Sequence, residues 1–131
     1  MTPEARRAIE ADCTRLVNLY ANLNDAGAWD AVAALYAVDG LMSRPSAPDA
    51  PVVGRETILA TFKSRPARTS QHICTNIVID VESETQASGF CALLLFTAKD
   101  APPMVGFYRD RFVLTPDGWR FAERRGEMSF A

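Results

Sequence analysis

The spacing of apolar residues changes once along this chain, at Pro66. Before it, Ile9, Cys13, Leu16, Val17, Tyr20 and Leu23 recur every three or four residues and form one helical stripe. After it, residues 69–81, 88–98, 103–114 and 118–130 read as strands. They are separated by "ESET", "KDAPP" and the tight "TPDG" turn, whose Asp117–Gly118 pair marks a hairpin. Helices first and antiparallel strands afterwards specify an α+β fold, with the helices on one face of a curved antiparallel sheet. No repeat or second composition appears, so residues 1–131 are read as a single domain.

The first 37 residues read as helix. Thr2 is the expected N-cap, Pro3 takes the first helical position, and Glu4 lies in the first turn. Gly27 stops the helix. "WDAVAALYA" restarts a short one with Trp29, Val32, Ala33 and Tyr36 on its buried side, and "LMSR" follows as a short strand. Residues 44–54 hold three prolines and no periodicity, and read as a loop over a surface or a pocket mouth. "RETILATFKSR" is a third helix, started by Gly54, with Ile58, Leu59 and Phe62 inward.

Alternate strand residues face opposite ways. His72, Cys74, Asn76 and Val78 therefore share one face, as do Gly106, Tyr108, Asp110 and Phe112. Small, apolar and polar-tipped residues together suit a cavity wall. Ile73, Ile77, Ile79 and Phe107 fall on the opposite face, which a second copy would cover, giving a homodimer through the sheet. Asp110 is expected to pair with Arg109, Arg111 or an arginine of a neighbouring strand, and "ERR" at 123–125 reads as a solvated strand edge.

A net charge of −2 with scattered basic residues argues against nucleic acid as a partner. Three cysteines without tight spacing do not form a disulfide framework, and one histidine without CxxC leaves no usual zinc site. No run approaches the ~20 apolar residues of a membrane span, and no apolar leader opens the sequence. The expected compartment is the cytoplasm.

Two residues stand against local preference. Asp25 falls at a helix C-terminus, where a carboxylate is electrostatically unfavourable. His72, the only histidine, heads an otherwise apolar strand. Each has a plain reading too, Asp25 as a solvated turn residue and His72 as a hydrogen-bonded core side chain. Cys74 beside His72 raises a Cys–His nucleophile, but residues two apart on a strand lie parallel and no oxyanion donor accompanies them.

The segments "YANLNDAGAWDAVAALYAVDG", "GRETI", "TSQHICTN" and "GFYRDRFVLTPDGWRFAERR" resemble the SnoaL-like domains. These belong to the nuclear-transport-factor-2-like, or cystatin-like, superfamily of cone-shaped α+β folds, with scytalone dehydratase, ketosteroid isomerase, polyketide cyclases and dioxygenase small subunits as relatives. The resemblance covers nearly the whole chain. It implies a conical cavity between sheet and helices, and no metal or organic cofactor. Asp25 and His72 match the Asp–His pair of scytalone dehydratase. Asn24, Ser43 and Thr97 stand where that enzyme has two tyrosines and a second histidine, and Tyr108 falls near a polar substrate-binding position.

Three functions are compatible with this reading. In the first, His72 and Asp25 are the catalytic pair of a lyase, isomerase or cyclase acting on a small cyclic carbonyl compound. Tyr20, Asn24, Trp29, Tyr36, Asn76, Thr97 and Tyr108 are then the candidate substrate contacts. In the second, the same cavity binds a hydrophobic or polyketide-like ligand without chemistry. In the third, the domain is a structural subunit and the pair ties helix to sheet.

Overall fold

The computed structural model describes residues 1–130. Three helices, α1 (Pro3–Asp25), α2 (Trp29–Ala33) and α3 (Arg55–Lys63), pack on a six-stranded sheet. The strands are β1 (Tyr36–Arg44), β2 (Ala47–Val53), β3 (Gln71–Val81), β4 (Gln86–Phe96), β5 (Met104–Thr115) and β6 (Gly118–Met128). Their order is β2-β1-β6-β5-β4-β3, so β2 and β3 are open edges.

The helix α1 begins and ends as its sequence dictates. The Thr2 hydroxyl accepts from the Ala5 amide at 3.0 Å, with Pro3 behind it. The helix stops where Gly27 takes φ +67°, a value that costs glycine nothing. Its buried stripe runs through Ile9, Cys13, Leu16, Val17 and Tyr20 to Asn24. This stripe meets the inner sheet face, where Ala87, Cys91, Leu93, Phe112 and Phe121 complete the core.

Three expectations are corrected. The sheet is mixed, because β1 runs parallel to β6 while every other pair is antiparallel. The proline-rich stretch is not loop throughout: β2 pairs with β1, and its prolines are tolerated because it is an edge strand. Tyr36 belongs to β1 and not to the second helix, which ends at Ala33.

The fourth correction concerns the faces of β3. Thr75 pairs with Ala92 but Val78 with Phe90, so Asn76 and Ile77 together oppose one residue. This is a β-bulge, and Asn76 sits in it at φ +54°. His72 and Cys74 face inward before the bulge, and Ile77, Ile79 and Val81 face inward after it. Asn76 is exposed, and the outward apolar residues are Ile73 and Val78. Asparagine is among the few residues that adopt left-handed backbone readily.

The inner face of β5 follows the expected alternation, with Gly106, Tyr108, Asp110 and Phe112 all buried. On β6, Gly126 admits a close approach: a Cβ there would lie 2.5 Å from Pro45 Cδ. Glycine at this point lets the β1–β2 turn fold down against the sheet.

Replacing Asn76 separates backbone from side-chain effects. Asn76→Gly is expected to leave stability within ~1 kcal/mol, whereas β-branched Asn76→Val loses about 1–3 kcal/mol by forcing a strained φ. Urea unfolding of both variants measures the difference.

Candidate functional site

Asp25 is the last residue of α1, where the helix dipole disfavours a carboxylate. Three donors offset this. The His72 ring Nδ1 lies 2.5 Å from Oδ1, the His72 amide donates to Oδ2 at 2.8 Å, and the Ser70 hydroxyl donates to Oδ1 at 2.9 Å. Asp25 thus fastens the end of α1 to the start of β3. The two side chains are only 15% and 10% exposed, so the pair is shielded without being sealed. With Nδ1 against the carboxylate, Nε2 is the free ring atom.

That ring lines a cavity of about 400 Å³. From α1 come Tyr20 and Asn24, from β1 Ser43, from α3 Phe62, and from the sheet Leu93, Leu95 and Tyr108. Met104 and the turn residues Pro45 and Ser46 complete one side. Tyr36 Oη donates to Tyr20 Oη at 3.0 Å, which leaves the Tyr20 proton available to a ligand. Burial pushes the Tyr20 and Tyr108 phenols above their ordinary range, so both remain protonated donors. Asn24 gives its amide N–H to the Tyr20 carbonyl at 3.0 Å, leaving its oxygen as an acceptor.

The sequence-predicted residues separate into two groups. Asp25, His72, Tyr20, Asn24 and Tyr108 converge. Asn76 does not, because the bulge turns it to solvent. Thr97 is exposed just beyond the end of β4 and does not line the cavity. Trp29 stacks on Phe62 at 5.2 Å and 11°, and Tyr36 is fully buried behind Tyr20, so both support the wall from outside it. Cys74 faces inward but is not part of the lining. The neighbouring Cys91 draws its thiol below the ordinary value, against the effect of burial.

Beneath the cavity lies a group that strand alternation on β6 conceals. Arg124 is fully buried, and its Nε donates to Asp110 Oδ1 at 3.0 Å. Its guanidinium sits 3.8 Å from the Tyr108 ring centroid and 4.5 Å from that of Tyr20, and Nη2 donates to Cys91 Sγ at 3.4 Å. The expected solvated "ERR" edge is therefore wrong at its middle residue. A register shift opposite Arg111 and Phe112 reverses the faces of β6 after Phe121. The signal that points to Arg124 is Asp110: an inward carboxylate on β5 needs a cation on a neighbouring strand. Burial pushes Asp110 up to about 6, and Arg124 pulls the other way.

Among the described residues no three His, Cys, Asp or Glu side chains converge as metal ligands. No helix among them is long and apolar enough to cross a membrane.

The sequence pattern of the SnoaL-like domain matches residues 5–125. The chain belongs to the SnoaL-like family. A candidate scytalone dehydratase from Novosphingobium aromaticivorans DSM 12444 superposes on it with a TM-score of 0.85 at 24% identity, over 98% of this chain and 89% of that one. A nuclear-transport-factor-2-like protein with a cystatin-like fold, also from N. aromaticivorans, gives 0.81 at 23% identity, over 92% and 82%. A hexachlorocyclohexane dehydrochlorinase gives 0.85 at 15% identity, over 98% and 90%. At these identities the likeness establishes the α+β architecture and its membership of the cystatin-like fold. No curated protein matches the chain by sequence.

Breaking the buried ion pair has a defined cost. Asp110→Ala strands Arg124 and is expected to lose about 3–5 kcal/mol, while the double variant Asp110→Leu/Arg124→Met recovers most of it. Equilibrium urea unfolding of the two proteins checks this.

Proposed function

We propose that this SnoaL-like domain is an acid–base lyase or isomerase acting on a small cyclic carbonyl compound. The observation that carries the reading is the His72 ring, which touches Asp25 through one nitrogen and borders the cavity. In a dehydration, Nε2 takes the proton from the carbon next to the carbonyl. The C–H electron pair forms the C=C bond, and the hydroxyl on the next carbon departs with the proton that His72 returns, as water. Asp25 holds the Nδ1 tautomer throughout and stabilises the imidazolium between the two transfers. Tyr20 and Tyr108, both protonated, are the donors for the carbonyl oxygen as it gains charge. In an isomerisation the same proton returns to a different carbon.

The support comes from the cavity and from the relatives. Apolar Phe62, Leu93, Leu95 and Met104 surround the donors, which suits a mostly hydrocarbon substrate. Two solved structures of the same fold are a candidate scytalone dehydratase and a hexachlorocyclohexane dehydrochlorinase.

The test is a panel of cyclic hydroxyketones followed by ultraviolet absorbance of the conjugated product. His72→Ala is expected to lower kcat about 10²–10⁴-fold with circular dichroism unchanged. Turnover equal to wild type in His72→Ala sinks the reading. Binding of a panel compound with no product in either protein favours a ligand carrier instead.

The outer sheet face bears on assembly. Ile73, Val78 and Phe90 are 44%, 57% and 37% exposed, and Phe107 stacks on Phe90 at 5.6 Å. We propose that a second copy covers this face. Sedimentation velocity is expected to give a dimer for the native chain and a monomer for Phe90→Glu.

A further inference from the structure

The chain has more acids than bases, 16 against 14, yet no carboxylate lines the cavity. Three arginines do. Arg44 comes from the end of β1, and Arg65 and Arg68 from the segment after α3. Among the described residues none of the three has a carboxylate within 4.0 Å, although five arginine or lysine ion pairs form elsewhere, and Asp25, the carboxylate nearest the lining, is taken up by His72. Arg65 Nε is buried and has no hydrogen-bond partner. Its guanidinium lies 4.4 Å from the Phe62 ring centroid, and Phe62 in turn stacks on Trp29.

A buried polar atom without a partner is not peculiar to Arg65, since Asp110 Oδ2 and Arg124 Nη1 share that condition in the interior; Arg65 differs in lining the cavity. A buried donor left unpaired destabilises the fold. Burial, then repulsion by Arg44, lowers the pKa of Arg65 from its usual value, and Arg68 adds to that repulsion. A solvated arginine at a cavity rim needs none of this, and Arg68, which is exposed, taken alone has that plain explanation. Arg65 does not. It is packed on an aromatic ring, which limits the freedom of its planar fork of donors. A guanidinium held in this way pairs with a carboxylate through two parallel hydrogen bonds.

We infer that the ligand of this cavity is an organic anion, a cyclic ketone bearing a carboxylate, with Arg65 as the main anchor and Arg44 and Arg68 as flanking charges. This rests on the cavity being the reaction site proposed above, and it narrows the substrate class. The arginines neutralise and orient the carboxylate, while Tyr20, Tyr108 and His72 serve the ketone. A cavity of about 400 Å³ is near the lower end of the ~300–1,000 Å³ usual for small-molecule sites, which suits a single-ring acid.

The probes are 4-oxocyclohexanecarboxylate and its neutral isostere 4-oxocyclohexanecarboxamide, with Kd measured by calorimetry at pH 7. The carboxylate is expected to bind the native chain about tenfold or more tightly than the carboxamide. Arg65→Gln should abolish that preference while changing carboxamide affinity less than about threefold, and Arg65→Lys should retain part of it. Equal affinities in the native chain, no carboxylate binding, or a preference that survives in Arg65→Gln overturns the inference. Displacement of the carboxylate by equimolar inorganic phosphate overturns the choice of carboxylate. His72→Ala separates this inference from the catalytic one: it should keep the anion preference even where it removes turnover. Loss of preference with turnover intact, or the reverse, shows which of the two has failed.

Discussion

A full positive charge at the centre of the molecule sets the terms for the interior around it. Arg124 has no exposed surface, and everything near it answers to that charge: Asp110 takes its Nε, Cys91 takes Nη2, and the rings of Tyr108, Tyr20 and Phe121 lie against the guanidinium. Removing such a group from water is expensive, and the ion pair alone does not repay it. The aromatic faces therefore matter. Two of those rings are also walls of the cavity, so the packing that shelters the arginine fixes where two phenol donors stand.

The second fixed point is Asp25. By accepting from the Ser70 hydroxyl and from both the amide and ring of His72, it joins the end of α1 to the first residues of β3. The histidine is held from its backbone and from its side chain at once. Its remaining ring nitrogen is positioned by secondary structure instead of by a loop, which favours a repeatable geometry.

How far the sequence reveals this depends on whether a strand keeps its period. On β5 it does, and the inward set from Gly106 to Phe112 follows from alternation alone. On β3 and β6 a bulge interrupts the count, so alternation places Asn76 inside and Arg124 outside, and the reverse is found. Nothing in composition marks such a bulge beyond an asparagine that tolerates positive φ. The edge strand β2 was hidden by its prolines, which are permitted there only because a neighbouring strand is missing, a fact of topology. Asp25 and His72 were visible because each sits where local physics disfavours it. Arg44, Arg65 and Arg68 were not, since their meaning lies in the absence of acids around them, and that is visible only in three dimensions.

The bulge at Asn76 has one more consequence. If that residue is skipped, His72, Cys74, Ile77, Ile79 and Val81 form an unbroken alternating series. The extra residue thus moves no side chain from core to solvent except its own. What it adds is bend and twist. Curvature here is written separately from hydrophobicity: one set of residues says which way the strand faces, and a single additional backbone unit says how tightly it wraps. The shape of the hollow thus rests on one backbone unit that contributes nothing to the chemistry at its wall.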